Sequence, residues 1–152
     1  MSTIDLEPTV RALADKEAIR DLARRYAHCV WTKDVPGAVN LFADDGEMDT
    51  GERPPIRGRA ALLDAYQAMI TGPSMFPYVH QHLIDLDGDR ATGVCYLDLR
   101  ATLPGGTRMT GFGYYDDVYV RAGGEWKFES RRLVLREYVP VPGSVARAMA
   151  AG

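Results

Sequence analysis

The apolar positions change period partway along the chain. Between about Pro8 and Lys33, Ile19, Leu22, Ala23, Tyr26, Ala27 and Val30 recur at spacings of three and four, one stripe on one long helix. Arg20, Asp21, Arg24, Arg25 and His28 fall off the stripe, so His28 is expected in solvent. Beyond Tyr78 the period becomes two. Tyr78–Asp87, Arg90–Thr102, Thr107–Val120 and Trp126–Val139 alternate apolar and polar residues and predict strands. The last three exceed ten residues each, against about five or six for an average strand. Asp87-Gly88-Asp89, Pro104-Gly105-Gly106 and Gly123-Gly124 separate them, which is hairpin-turn chemistry. Long strands on tight turns make a strongly curved antiparallel sheet, and its concave side must be filled.

The segment between the two regimes supplies shorter elements. Asp34 can cap a second helix, Val35–Phe42, and Asp44-Asp45-Gly46 reads as a turn. Glu47–Thr50 predicts a short strand with Met48 inward, followed by a loop over Gly51–Arg57. Gly58 leads into a third helix, Arg59–Ile70, which Gly72-Pro73 ends. Ser74-Met75-Phe76-Pro77 is expected as a lid or rim, and the alanine-rich tail Gly143–Gly152 as a loose helix or disordered. The order predicts an α+β fold, three N-terminal helices on one face of a bent sheet. One domain is expected over residues 1–152, with its core from about 8 to 140.

Composition narrows the partners. The net charge is −3 with no basic cluster, so neither nucleic acid nor an anionic membrane is expected. No run is long enough to span a bilayer and none resembles a signal peptide, which makes the cytoplasm the expected compartment. Cys29 and Cys95 lack a metal-type spacing and are expected as buried thiols rather than a disulfide. Asp44-Asp45 sits in a turn with no nearby histidine, so no metal site is expected.

Several stretches together resemble a known family. Ala18-Ile19-Arg20-Asp21-Leu22 precedes Tyr26; Leu41-Phe42-Ala43-Asp44-Asp45-Gly46 enters the first strand; Gly58-Arg59-Ala60-Ala61-Leu62 opens the third helix. Asp87-Gly88-Asp89-Arg90-Ala91-Thr92-Gly93 turns between strands, and Tyr114–Tyr119 followed by Gly124-Glu125-Trp126-Lys127-Phe128 closes the sheet. Their order resembles the SnoaL-like branch of the NTF2-like superfamily, from about Leu13 to Val139. The resemblance implies a cone: a curved sheet around a deep apolar pocket, closed on one side by the first helix. That branch includes dehydratases, dehydrochlorinases and polyketide cyclases, none of which needs a redox cofactor, so no cofactor is expected.

The lyases of this branch use a strand His oriented by a helix Asp to move a proton. Here the resemblance places Pro77 at the His position and Trp31 at the Asp position. It retains Tyr26 on the first helix and Arg131 on the last strand. Tyr26 and Arg131 are therefore the candidate catalytic residues, with His80 as a possible third. On the simplest register His80 and His82 face the outer side of the sheet, and one bulge would turn His80 inward. Arg131 has two readings. A partner such as Glu47 or Asp49 makes it structural; a substrate oxygen makes it functional. Alternation, with the face assigned by the resemblance, outlines a pocket of Trp31, Met48, Pro77, Leu97, Leu99, Tyr115 and Leu133, with Cys95, Gly113 and Leu135 on the same faces and Gln81 as one of its few polar groups. Trp31 either plugs the cone or lines it. Asp98 and Arg100 are expected on the outer face, in a homodimer or homotrimer contact.

Two functions follow from this reading. The first is a cofactor-independent lyase, isomerase or cyclase acting on a small hydrophobic, oxygenated molecule without the usual His–Asp pair. The alternative is a non-catalytic protein that binds a small molecule in the same pocket. What separates them is whether a titratable base faces the cavity. A third and weaker reading, assembly through the outer sheet face, rests on His80, His82, Tyr96 and Arg100.

Overall fold

The computed structural model describes residues 5–143. The long helix α1 spans Leu6–Thr32 and the short α2 spans Val35–Asn40. Strand β1 (Phe42–Asp49) and the two-residue β2 (Ile56–Arg57) follow, then α3 (Arg59–Thr71). The chain ends in β3 (Ser74–Asp87), β4 (Arg90–Thr102), β5 (Arg108–Ala122) and β6 (Glu125–Pro140).

Local chemistry explains the helix boundaries. The stripe predicted on α1 is the set of its buried residues, and His28 is exposed. Lys33 adopts the left-handed conformation (φ 58°) and its N–H meets the carbonyls of Cys29 and Val30, which closes α1. The next residue, Asp34, caps α2 by accepting the Gly37 N–H at 3.0 Å.

The sheet order is β2-β1-β6-β5-β4-β3. All pairings are antiparallel except β1 with β6, which run parallel. The three helices lie on the concave face, and Ile19, Tyr26, Phe42, Leu62, Tyr66, Tyr119 and Phe128 form one core between the layers. Bulges bend the sheet. β5 and β6 change register near Phe112/Gly113 and near Val118/Tyr119, and β3 and β4 do so between Val79 and His82. At the first of these sites a Cβ on Gly113 would collide with the Val134 carbonyl, so glycine allows β6 to cross closely.

Four expectations need correction. Ser74–Pro77 belongs to β3 rather than to a loop. Pro77 is tolerated because β3 is an edge strand, where a missing N–H breaks no ladder. Asp44-Asp45-Gly46 lies inside β1, at a register shift between Phe42 and Glu47, rather than in a free turn. The loop Gly51–Arg57 ends in β2, too short to leave a periodic signal. Cys29 is only partly buried, although Cys95 is buried and both are free thiols. The tail from residue 144 onward lies outside the described residues.

Candidate functional site

Two neighbouring regions fill the cone. One is a cavity of about 70 Å³ lined by Tyr26, Val30, Met48, Thr50, Tyr66, Met69, Ile70, Met75, Pro77, Leu99, Tyr115 and Leu133. α1, α3 and the inner faces of β1, β3, β4, β5 and β6 all contribute. Its walls are almost wholly apolar. Two hydroxyls of the lining residues, those of Tyr26 and Tyr66, lie 2.7 Å apart and are hydrogen-bonded to each other. Burial pushes both phenols above their ordinary range, so neither is poised to lose its proton near neutral pH. The same holds for Tyr115.

Behind this cavity lies a buried charge network. Arg131 is 0% exposed and Asp117 1%. Arg131 donates from Nε and Nη2 to the two oxygens of Asp117, each at 3.0 Å. Tyr119 donates to Asp117 Oδ2 at 2.9 Å. Three donors aimed at one carboxyl group require it to act as an acceptor, hence as a carboxylate. Burial raises the Asp117 carboxyl and Arg131 pulls it back; a guanidinium does not give up its proton, and the pair stays ionised. The guanidinium also sits against three rings, with its carbon 3.7 Å from the Tyr115 centroid, 4.3 Å from Phe128 and 4.5 Å from Tyr26. These contacts give a desolvated cation a favourable surround.

Hydrogen-bond accounting extends the network outward. The Tyr119 proton is used on Asp117, so the Tyr119 oxygen must accept from His82 Nε2, 2.7 Å away. Neutral His82 therefore carries its proton on Nε2. Burial, reinforced by the positive charges of Arg131, Arg20 and Arg24, lowers its pKa to about 4. Cys95 borders the same guanidinium; burial pushes its thiol up to about 11 while Arg131 pulls the other way. Arg131 Nη1 is the one buried side-chain polar atom without a partner among the described residues.

The residues singled out from sequence separate into groups. Tyr26, Met48, Pro77, Leu99, Tyr115 and Leu133 meet around the cavity. Leu97 is buried in the core and does not line it. Trp31 neither plugs the cone nor lines the cavity. It is 40% exposed, donates from its indole N–H to the Pro77 carbonyl at 2.8 Å, and packs on Phe76 and Tyr78. It clamps the end of α1 to the free edge of β3. Arg131 points inward but is screened from the cavity by Tyr26 and Tyr115. Its partner is Asp117, not Glu47, which pairs with Arg57, nor Asp49, which accepts the Gly51 N–H.

The bulge in β3 falls where one was considered, with another outcome. His80 and Gln81 both stay exposed, and the strand re-enters its alternation with His82 inward. His80 meets Asp98 at 2.6 Å on the outer face. Gln81 does not join the cavity. Asp117 and Tyr119 went unnoticed in the sequence, although the alternation that places Gly113 and Tyr115 inward continues through both.

No helix among the described residues is long and apolar enough to cross a membrane, and no group of metal-ligating side chains gathers among them.

Residues 11–132 match the model of the SnoaL-like domain. The chain belongs to the SnoaL-like family. Solved structures agree with its NTF2-like cone. The Rv3472 protein of Mycobacterium tuberculosis, of unknown function, is 28% identical over 95% of this chain and 86% of its own, with a TM-score of 0.79. A hexachlorocyclohexane dehydrochlorinase from Novosphingobium barchaimii is 19% identical over 89% of this chain and 95% of its own, with a TM-score of 0.81. An NTF2-like protein with a cystatin-like fold from Novosphingobium aromaticivorans is 23% identical over 96% and 95% of the two chains, with a TM-score of 0.72. The last two likenesses concern the fold. No curated protein sequence matches this SnoaL-like chain.

Proposed function

We propose that this SnoaL-like protein, as one domain with its core from about residue 8 to residue 140, binds a compact, apolar small molecule in the cone and has no base of its own facing it. One observation carries this reading. The cavity is lined by apolar and aromatic groups, and the titratable side chains around it are either neutralised by burial or already paired. Small-molecule sites are mostly apolar with a few placed polar groups, and this one has Thr50 and the Tyr26–Tyr66 pair. Of the candidate residues, Tyr26, Met48, Pro77, Leu99, Tyr115 and Leu133 hold the ligand. Arg131 stiffens two of those walls from behind, and Trp31 fixes the rim. No cofactor enters this reading, and the compartment is the cytoplasm.

The test is a titration with toluene and with cyclohexanone, followed by the methyl signals of Met48, Met69 and Met75. Both probes should shift those signals, and Leu99→Trp, which fills the cavity, should abolish the shifts. Unmoved methionine signals with both probes contradict the reading.

A second reading keeps catalysis, as a cofactor-independent lyase, isomerase or cyclase. It is favoured by the unpartnered Nη1 of Arg131, a buried donor suited to a carbonyl or enolate oxygen. In this reading Tyr26 and Arg131 act, Tyr115 moves aside, and His80 takes no part because it faces outward. Turnover of an activated ketone that is lost in Arg131→Lys, with the fold intact, would select it.

The assembly is a homodimer or homotrimer through the outer sheet face, where Tyr78, Tyr96 and Phe112 are exposed among His80, Asp98 and Arg100. Light scattering at about 50 µM, a concentration that populates micromolar interfaces, should show a species larger than a monomer.

A further inference from the structure

The cavity is small for a ligand site. At about 70 Å³ it falls well below the roughly 300–1,000 Å³ of typical small-molecule pockets. Thr50 and Leu133 line it, and the same two residues line a groove of about 370 Å³ together with Asp49, Gly51, Glu52, Arg132, Val134 and Leu135. The apolar chamber and the groove therefore adjoin at Thr50 and Leu133.

The groove has a different chemistry. β1 pairs with β6 only as far as Asp49 opposite Arg132, whereas β6 continues to Pro140. Among the described residues the β6 edge facing the groove has no strand partner from Leu133 onward, so its main-chain groups are available to a guest. Asp49 uses one carboxylate oxygen on the Gly51 N–H at 2.8 Å, and Glu52 is exposed. Arg132, the one cation of the groove among the described residues, has Asp49 and Asp116 as its neighbours on the adjoining strands. Acceptors outnumber cations along this wall, which disfavours an anionic guest.

We propose that the ligand is an amphiphile: a compact apolar end of one ring or a short branched chain fills the cavity, and a hydrogen-bond-donating polar end, an amine or amide, lies in the groove along β6. This deepens the binding reading and rests on it. The apolar end gains by burial against Met48, Met75, Leu99 and Tyr115. The polar end keeps its hydrogen bonds by lying past Thr50 and Leu133 rather than being buried without a partner.

Three probes with one phenyl ring and a three-carbon chain separate the outcomes. They are propylbenzene, 3-phenylpropylamine and 3-phenylpropionate, titrated calorimetrically into the full chain at low salt with the methionine methyl signals as site reporters. The amine should bind about five- to tenfold tighter than propylbenzene and the carboxylate weaker than propylbenzene, the scale of one or two partly exposed charge contacts. Glu52→Gln, a surface change that leaves the cavity untouched, should reduce the amine's advantage about two- to threefold. A carboxylate that binds as tightly as the amine overturns the proposal, as does an amine advantage that Glu52→Gln leaves unchanged. In both cases propylbenzene still shifts the methionines and the cavity reading stands. If none of the three probes moves them, the cavity reading fails and the proposal with it.

Discussion

The apolar cavity and the charge network beside it treat polarity in opposite ways. Around the cavity the walls are apolar, space is left empty, and the Tyr26 and Tyr66 hydroxyls meet each other. In the network Arg131, Asp117, Tyr119 and His82 form one continuous hydrogen-bonded chain. Below it, Arg121 holds Asp15 at 2.8 and 3.0 Å and Asp89 at 2.9 Å while stacking on Trp126. That clasp ties α1 to the base of the sheet. The contrast teaches that the buried charge of Arg131 is matched inside the protein, by Asp117. The charges of this network are matched to one another and maintain the frame, and the apolar vacant space lies beside them.

The sharpest way to break this contrast is to remove one half of the buried pair. Arg131→Met leaves Asp117 as an uncompensated buried carboxylate, and unfolding by urea should show a loss of about 3–5 kcal/mol. The double change Arg131→Met with Asp117→Leu should recover most of that loss. If Arg131→Met alone leaves stability near the parent value, the pair is not the structural keystone described here.

How much of this could be read beforehand depended on the kind of signal. β4 was legible to the residue, because strict alternation between Arg90 and Thr102 meets turn residues at both ends. The buried stripe of α1 was equally plain. Arg131 was legible as inward, but its partner was sought on β1, the neighbouring short strand, when the alternation of β5 already led to Asp117. His80 lies on the outer face that simple alternation gives it, whereas the inward turn of His82 was not legible. A bulge at His80–Gln81 inverts every later side chain of β3, and bulges arise from backbone pairing with no residue signature. Trp31 was ambiguous for a related reason: its indole reaches across to the carbonyl of Pro77, a contact between chain segments that periodicity cannot express.

A smaller effect tests the cavity. Tyr66→Phe leaves the Tyr26 hydroxyl without its partner in an apolar wall, and thermal or denaturant unfolding should show a loss of about 1–3 kcal/mol. An unchanged stability would mean that the hydroxyl finds another acceptor and that the cavity is wetter than its walls suggest.

The smallest effect concerns His82. Its folded pKa of about 4 lies below the ordinary 6.5. The unfolded chain therefore binds the extra proton between those values, so this residue's contribution is complete above pH 6.5 and is lost as the pH falls toward 4. In His82→Gln the melting temperature should fall less steeply across that window than in the parent, measured by parallel scans at several pH values. Identical slopes would mean that His82 is not held neutral by its surroundings.

The central claim is that the apolar cavity, and not the charge network, is where a small molecule sits. A crystal soaked in bromobenzene tests it directly, because bromine is located by anomalous scattering. One bromine peak is predicted between Tyr26, Met48, Leu99 and Leu133. No peak there, or a peak beside His82 and Tyr119, would contradict the account.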